Sequence, residues 1–202
     1  NWQMAAIPIK SLGRELVDNM ADMAHFGPIH YSKVKSFRNT MEGHKFVQYM
    51  VGGHQILTEG DGALITSVAT YEGPAYMTTT MTGLMDGHPM TTHLLVSHIP
   101  VDMENFIINF GVMMKKDPNI SEAGNKAMVE EYTEKNIESF HQDVAIWNNK
   151  CIIDNPLMCD GDGPVHLVRK WYSQFMTDVA DIQEDQVRAR QHVTVEGPSV
   201  EE

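Results

Sequence analysis

The stretch "DNMADMAHFGPIHY", residues 18–31, gathers two carboxylates, an amide and two histidines into a short space. On a helix Asp22 and His25 lie three residues apart on one face, with Asp18 one turn earlier. Gly27-Pro28 is expected to end that helix, because proline lacks a backbone donor and glycine releases the chain. The break lets His30 swing back towards His25. Neutral imidazoles that converge on a point suit a transition metal. Zinc usually takes three or four strong protein ligands, whereas two histidines and one carboxylate form the facial triad that holds Fe(II) and leaves positions open. Asp22 is then placed to accept the remaining ring proton of His25, or to connect the site to something outside it.

The carboxylate ligand must come from elsewhere, and Glu130, Glu131, Asp143, Asp160 and Asp162 are the candidates. Asp143 is favoured. Phe140 and Trp147 flank it on the apolar stripe of a long helix, and an acid on a buried face needs a partner. Glu130 and Glu131 read as solvated, and Asp160 and Asp162 as turn residues. His44, His54 and His88 sit beside glycine or proline and read as turn residues too. His93 and His98, five apart in a strand, point to opposite faces and read as structural.

These residues need elements to position them. The spacing of Leu16, Met20 and Met23 predicts a helix over residues 14–26. "KFVQYMV", "ALITSVATYEG", "AYMTTTMTG", "MTTHLLVSHIP" and "ENFIINFGVMM" predict five strands of an antiparallel meander, with hairpin turns at "EGPAY" and "MDGHP". Residues 121–150, capped by Ser121, predict one long amphipathic helix. A loop and a further helix over residues 165–182 follow, and the charged end, 183–202, reads as an extended or frayed tail. The expected fold class is α+β: a curved antiparallel sheet with a long helix closing a hydrophobic cavity.

Bulk properties narrow the function. With 202 residues and 42% hydrophobic content the chain suits one domain with a sizeable core. A formal charge of -12 argues against nucleic acid and against an anionic membrane surface. No apolar run reaches the length of a spanning helix, and no signal peptide is recognisable. Two cysteines, Cys151 and Cys159, suit a reducing cytoplasm. Most of the fifteen methionines should fill the core, although thioethers also suit an adaptable pocket wall. A start at Asn1 is expected of a fragment or trimmed chain.

"DNMADMAHFGPIH" resembles the iron-binding motif of the catalytic domain of Rieske non-haem iron oxygenases. "HQDVAIWNNK", "DNPLMCDGDGPVHLVRKWYSQF", "MEGHKFVQYM" and "SHIPVDMENF" are similar to the 3-ketosteroid 9-alpha-hydroxylase oxygenase branch. The resemblance runs in order over residues 16–182. It implies a helix-grip fold, with His25, His30 and Asp143 as ligands of a mononuclear Fe(II) and Asp22 as the carboxylate that passes electrons from a neighbouring subunit's cluster. A Rieske [2Fe-2S] centre needs paired cysteine and histidine ligands, which neither Cys151 nor Cys159 provides. Residues 1–182 are thus expected to be the catalytic domain, with the Rieske domain outside this chain.

The expected activity is monooxygenation of an apolar, steroid-like substrate by O2, with electrons from a ferredoxin or flavin reductase and a homotrimer in the full-length enzyme. The rival reading is a lipid- or steroid-binding module of the same fold whose metal site is empty. In the cavity, Phe140 and Trp147 should present flat walls to a polycyclic ligand, with Met77 or Met81 opposite. Gln48 would orient a keto or hydroxyl group if its side chain faces inward.

Overall fold

A computed structural model describes residues 2–58, 63–85 and 88–198. Along the chain these form β1 (Trp2–Ile9), α1 (Gly13–Asn19), α2 (Phe26–His30), β2 (Val34–Glu42), β3 (Lys45–Gly52), β4 (Ile65–Glu72), β5 (Tyr76–Met85), β6 (His88–Pro100), β7 (Phe106–Met114), α3 (Glu122–Trp147), α4 (Val165–Tyr172), α5 (Glu184–Val187) and β8 (Arg190–Val195). The strands build one curved antiparallel sheet in the order β1-β7-β6-β5-β4-β3-β2-β8. The α+β expectation therefore holds, with the long helix α3 packed across the sheet against β1 and β7.

Period-two patterning explains the sheet. On β7, Phe106, Ile108, Phe110, Val112 and Met114 are buried while Ile107, Asn109 and Met113 are only half-buried. On β4, Ile65, Ser67, Ala69 and Tyr71 face the interior. Helix α3 begins where expected, with the Ser121 hydroxyl accepting from Gly124 N at 3.0 Å. Its buried face mixes Val129, Tyr132, Val144 and Trp147 with Thr133, Asn136 and Asp143. A polar group on that face must find a partner.

Four expectations need correction. The helix over residues 14–26 is two helices, and the break falls at Met20 rather than at Gly27-Pro28. The Met20 carbonyl accepts hydrogen bonds from Asn39 Nδ2 (3.1 Å) and Gln48 Nε2 (2.8 Å), so the sheet takes the acceptor that a continuing helix would use. Gly27 and Pro28 lie inside α2, where Pro28 occupies the first turn and its missing donor costs nothing. Tyr31, with φ 49°, turns left-handed and ends that helix.

Three of the eight strands, β1, β2 and β8, lie outside the five that the sequence predicts. Pro8 argues against a strand at β1, but an edge strand tolerates it. In β2 the inward residues include Asn39 beside Phe37 and Met41, which blurs the alternation. The supposed tail supplies α5 and edge strand β8, which pairs with β2 from Phe37↔Val195 to Met41↔Arg190. The helix expected over residues 165–182 ends at Tyr172 and gives way to short 3-10 turns. The "EGPAY" turn is present, with Gly73 at φ 87°, whereas Asp86 and Gly87 of "MDGHP" lie outside the described residues. Among the described residues, no helix is long and apolar enough to cross a membrane.

Candidate metal centre

His25 is the residue preceding α2 and His30 is its last, so one short helix carries both imidazoles. Their rings meet edge to face with centroids 5.3 Å apart. Asp143 comes to them from the buried face of the last turns of α3: its carboxylate lies 3.3 Å from His30 Nε2 and 4.0 Å from His25 Nε2. One ligand atom from each of the three lies within 4.8 Å of the others. Among the described residues this is the only such cluster of histidine, cysteine and carboxylate groups. The other carboxylate candidates are elsewhere. Glu130 pairs with Lys126 and Glu131 with Lys135 on the surface of α3, while Asp160 is exposed and Asp162 caps a turn by accepting from Cys159 N.

Each imidazole is fixed through its far nitrogen. His25 Nδ1 lies 2.5 Å from the Asp22 backbone carbonyl, and His30 Nδ1 lies 2.8 Å from Gln142 Oε1. Since both partners only accept there, each Nδ1 carries a proton and each ring turns its Nε2 to the shared point. Gln142 was not anticipated, because nothing in spacing separates it from the exposed residues beside it. Asp22 meets His25 chiefly through its backbone; its own carboxylate is 3.6 Å away and partly exposed. Asn19 Nδ2 approaches His25 Nε2 at 3.4 Å.

The electrostatics follow from burial and from this geometry. Burial lowers the His25 pKa despite the nearby Asp143 and Asp22 charges. Burial works the same way at His30, but the hydrogen bond and charge of Asp143, with Gln142 adding, outweigh it and the pKa is raised. Burial also raises Asp22, against the pull of His25.

Two cavities meet at this point, and Asn19, His25 and Asp143 line both. The inner one, under α3, is walled by Leu16, Met50, Met77, Met81, Leu94 and Phe140. Gln48 does face it, but its amide nitrogen already donates to Met20. Met77 and Met81 stand where expected. The outer cleft is lined by Glu15, Asp18, Asp22, Lys150 and Arg169. Trp147 belongs to the outer cleft, so the two aromatics do not form one pocket: Asp143 separates them along the helix.

His54 is more than the turn residue that its sequence neighbours suggest. It is buried, lines the inner cavity and stacks on His30 with centroids 4.9 Å apart. Gln55 N donates to the His30 carbonyl at 3.2 Å, and the Ser32 hydroxyl to the Gly53 carbonyl, which holds this turn against α2. Burial and the neighbouring His30 push the His54 pKa down to about 3. Of the paired histidines on β6, His98 is buried beside Tyr71 and His93 is exposed, as alternation requires.

Structures of similar fold include NdmB of Pseudomonas putida CBB5 (TM-score 0.59, 11% identity, 95% of this chain and 56% of that one). Another is dicamba monooxygenase bound to dicamba (TM-score 0.55, 14% identity, 87% and 58%). Curated relatives named 3-ketosteroid-9-alpha-monooxygenase, oxygenase component, occur in Rhodococcus rhodochrous (40% identity over 195 residues, 93% of this chain and 50% of the relative). One in Mycobacterium tuberculosis is 35% identical over 193 residues, again covering 93% and 50%. The chain thus spans about half the length of the curated relatives it matches. Residues 1–176 match the family model described as 3-Ketosteroid 9alpha-hydroxylase C-terminal domain, and with that match spanning most of its length the chain belongs to this family.

Proposed function

We propose that this chain is the catalytic part of an O2-dependent monooxygenase that hydroxylates an apolar, ketone-bearing steroid, with His25, His30 and Asp143 holding one Fe(II). The observation that carries the reading is the convergence of two imidazole Nε2 atoms and one buried carboxylate between an apolar cavity and a charged cleft. The donor set fits the ion: two neutral imidazoles with fixed tautomers and one carboxylate leave positions open, as a facial triad does. Iron bound there supplies the redox chemistry that activates O2.

The protein's own contribution is positional. Asp22 and Gln142 hold the imidazoles by their Nδ1–H groups, and α3 fixes Asp143 between them. The methionine, leucine and phenylalanine wall of the inner cavity takes the steroid and excludes water from it. Asp22, which lines the outer cleft with its carboxylate 3.6 Å from His25 Nδ1, links His25 to an electron donor outside the chain. That donor is a Rieske [2Fe-2S] cluster on a further domain or subunit, fed by a ferredoxin or flavin reductase, and the intact enzyme assembles as a homotrimer. The exposed free thiols Cys151 and Cys159 fit a cytoplasmic setting.

Anaerobic reconstitution tests the metal assignment. Wild type should bind one Fe(II) per chain, and His30→Ala or Asp143→Ala should lose most of it. Iron retained by both variants overturns the ligand set, while steroid binding with no iron uptake by wild type favours a binding module instead. Within the complete enzyme, Asp22→Asn should keep its iron and lose hydroxylation coupled to the reductase. Undiminished coupled turnover removes Asp22 from the electron path.

A further inference from the structure

Ser139 lines the inner cavity on α3, one helical turn before Asp143. Its hydroxyl oxygen lies 3.1 Å from His54 Nε2. The other nitrogen of His54 settles which atom carries the proton. Nδ1 receives the backbone N–H groups of Ile56 (3.1 Å) and Leu57 (3.3 Å), so it holds no hydrogen. The imidazole proton is on Nε2, and it is donated to Ser139. The serine oxygen therefore acts as an acceptor towards His54, and its own hydrogen must point elsewhere.

A helical serine or threonine commonly spends that hydrogen on the carbonyl four residues back. Thr133 does so on this same helix, donating to Val129 at 2.6 Å. The Ser139 hydroxyl makes no such bond; among the described residues its hydrogen-bond partner is His54. A polar hydrogen facing an apolar cavity, with its acceptor side already occupied, marks a site for a ligand acceptor.

We propose that Ser139, oriented by His54, donates the hydrogen bond that anchors a carbonyl oxygen of the substrate in the inner cavity. This rests on the steroid-ketone reading above and sets an anchor beside Gln48, which also lines the cavity and donates from its amide nitrogen to Met20. His54 is a positioning residue here: it touches Ser139 and the ring of His30, and it keeps the serine hydrogen turned to the cavity. Ser139 lies about 6 Å along the helix axis from Asp143, four residues at about 1.5 Å each. Anchor and metal ligands then share one wall.

The experiment is calorimetric titration of the purified protein with a steroid whose only oxygen is the 3-keto group, and with its 3-deoxo hydrocarbon. Ser139→Ala should weaken the ketosteroid about tenfold, the size of one neutral hydrogen bond, and leave the hydrocarbon unchanged. Ser139→Thr, which keeps a hydroxyl, should restore most of the affinity. An equal loss for both ligands, or no loss for the ketosteroid, overturns the anchor and leaves the steroid reading standing. Failure of wild type to bind either compound overturns the steroid reading itself, and this inference with it. Thermal melting and Fe(II) uptake that match wild type show that the variant is folded with its metal site intact.

Discussion

The inner cavity and the outer cleft share Asn19, His25 and Asp143, yet they solve opposite problems. The inner one is mainly apolar, and several of its polar groups pair within the protein: Gln48 with Met20, His54 with Ser139, His30 with Gln142. The outer one buries whole charges. Glu15 has a fully covered side chain and meets Lys150 at 2.5 Å, while Asp18 takes two bonds from Arg169, at 2.6 and 2.9 Å. Both walls come from the same short helix: Leu16 and Met20 of the α1 segment face the cavity, and Glu15 and Asp18 face the cleft. The candidate metal centre lies where the two faces of one helix part. A metal ion held there would have a mainly apolar side towards the proposed substrate and a charged side towards the cleft.

The comparison breaks most easily on the charged side. Burial raises the Asp18 pKa even against Arg169, a sign that the carboxylate depends on its partner. Arg169→Met should therefore destabilise the fold by about 3–5 kcal/mol, the cost of leaving a buried charge unpaired, as read by urea unfolding. Adding Asp18→Leu should recover much of that loss, since removing both charges removes the debt. A double variant as unstable as the single would mean that Arg169 acts through its contacts with the Ile153 and Asp154 carbonyls instead. The next effect is smaller and belongs to the boundary. Gln142→Ala frees the His30 ring and should weaken Fe(II) binding by about 10–100-fold, with little change in the unfolding midpoint. Unchanged iron affinity would show that α2 alone orients the imidazole.

Much of this was legible in the residues, for reasons that differ by region. The two histidines and the buried acid announce themselves by type, because Asp143 on an apolar stripe has few structural explanations. Central strands β4 to β7 largely alternate, since one face is solidly buried, whereas β3 is buried on both faces from Gln48 onward. The supports were harder to see. Ser139 and His54 meet across 85 residues of sequence, and Gln142 reaches His30 of α2 across 112, and no local pattern encodes such meetings. Strands β1 and β8 lie at the sheet edges, where composition is loosely constrained. The placement of the break at Met20 depended on two side-chain amides from β2 and β3, so it too was decided outside the segment.

The smallest effect separates the two aromatics that one helical stripe seemed to unite. Phe140 lines the inner cavity and leans on Phe110 with ring centroids 5.1 Å apart, whereas Trp147, two turns on, closes the outer cleft. If the steroid occupies the inner cavity, truncating Phe140 removes aromatic surface from the ligand and loosens the wall behind it. Phe140→Ala should then cost about 1–2 kcal/mol in ketosteroid affinity. Trp147→Phe keeps an aromatic plug in the cleft and should change that affinity by less than about 0.5 kcal/mol. Titration of both variants with the same ketosteroid, each first checked for an unfolding midpoint near wild type, makes the comparison. Equal losses would mean that the ligand reaches past Asp143 into the cleft, and a loss confined to Trp147→Phe would move the substrate to the charged side, where its rings would have to displace the water around Asp22 and Lys150.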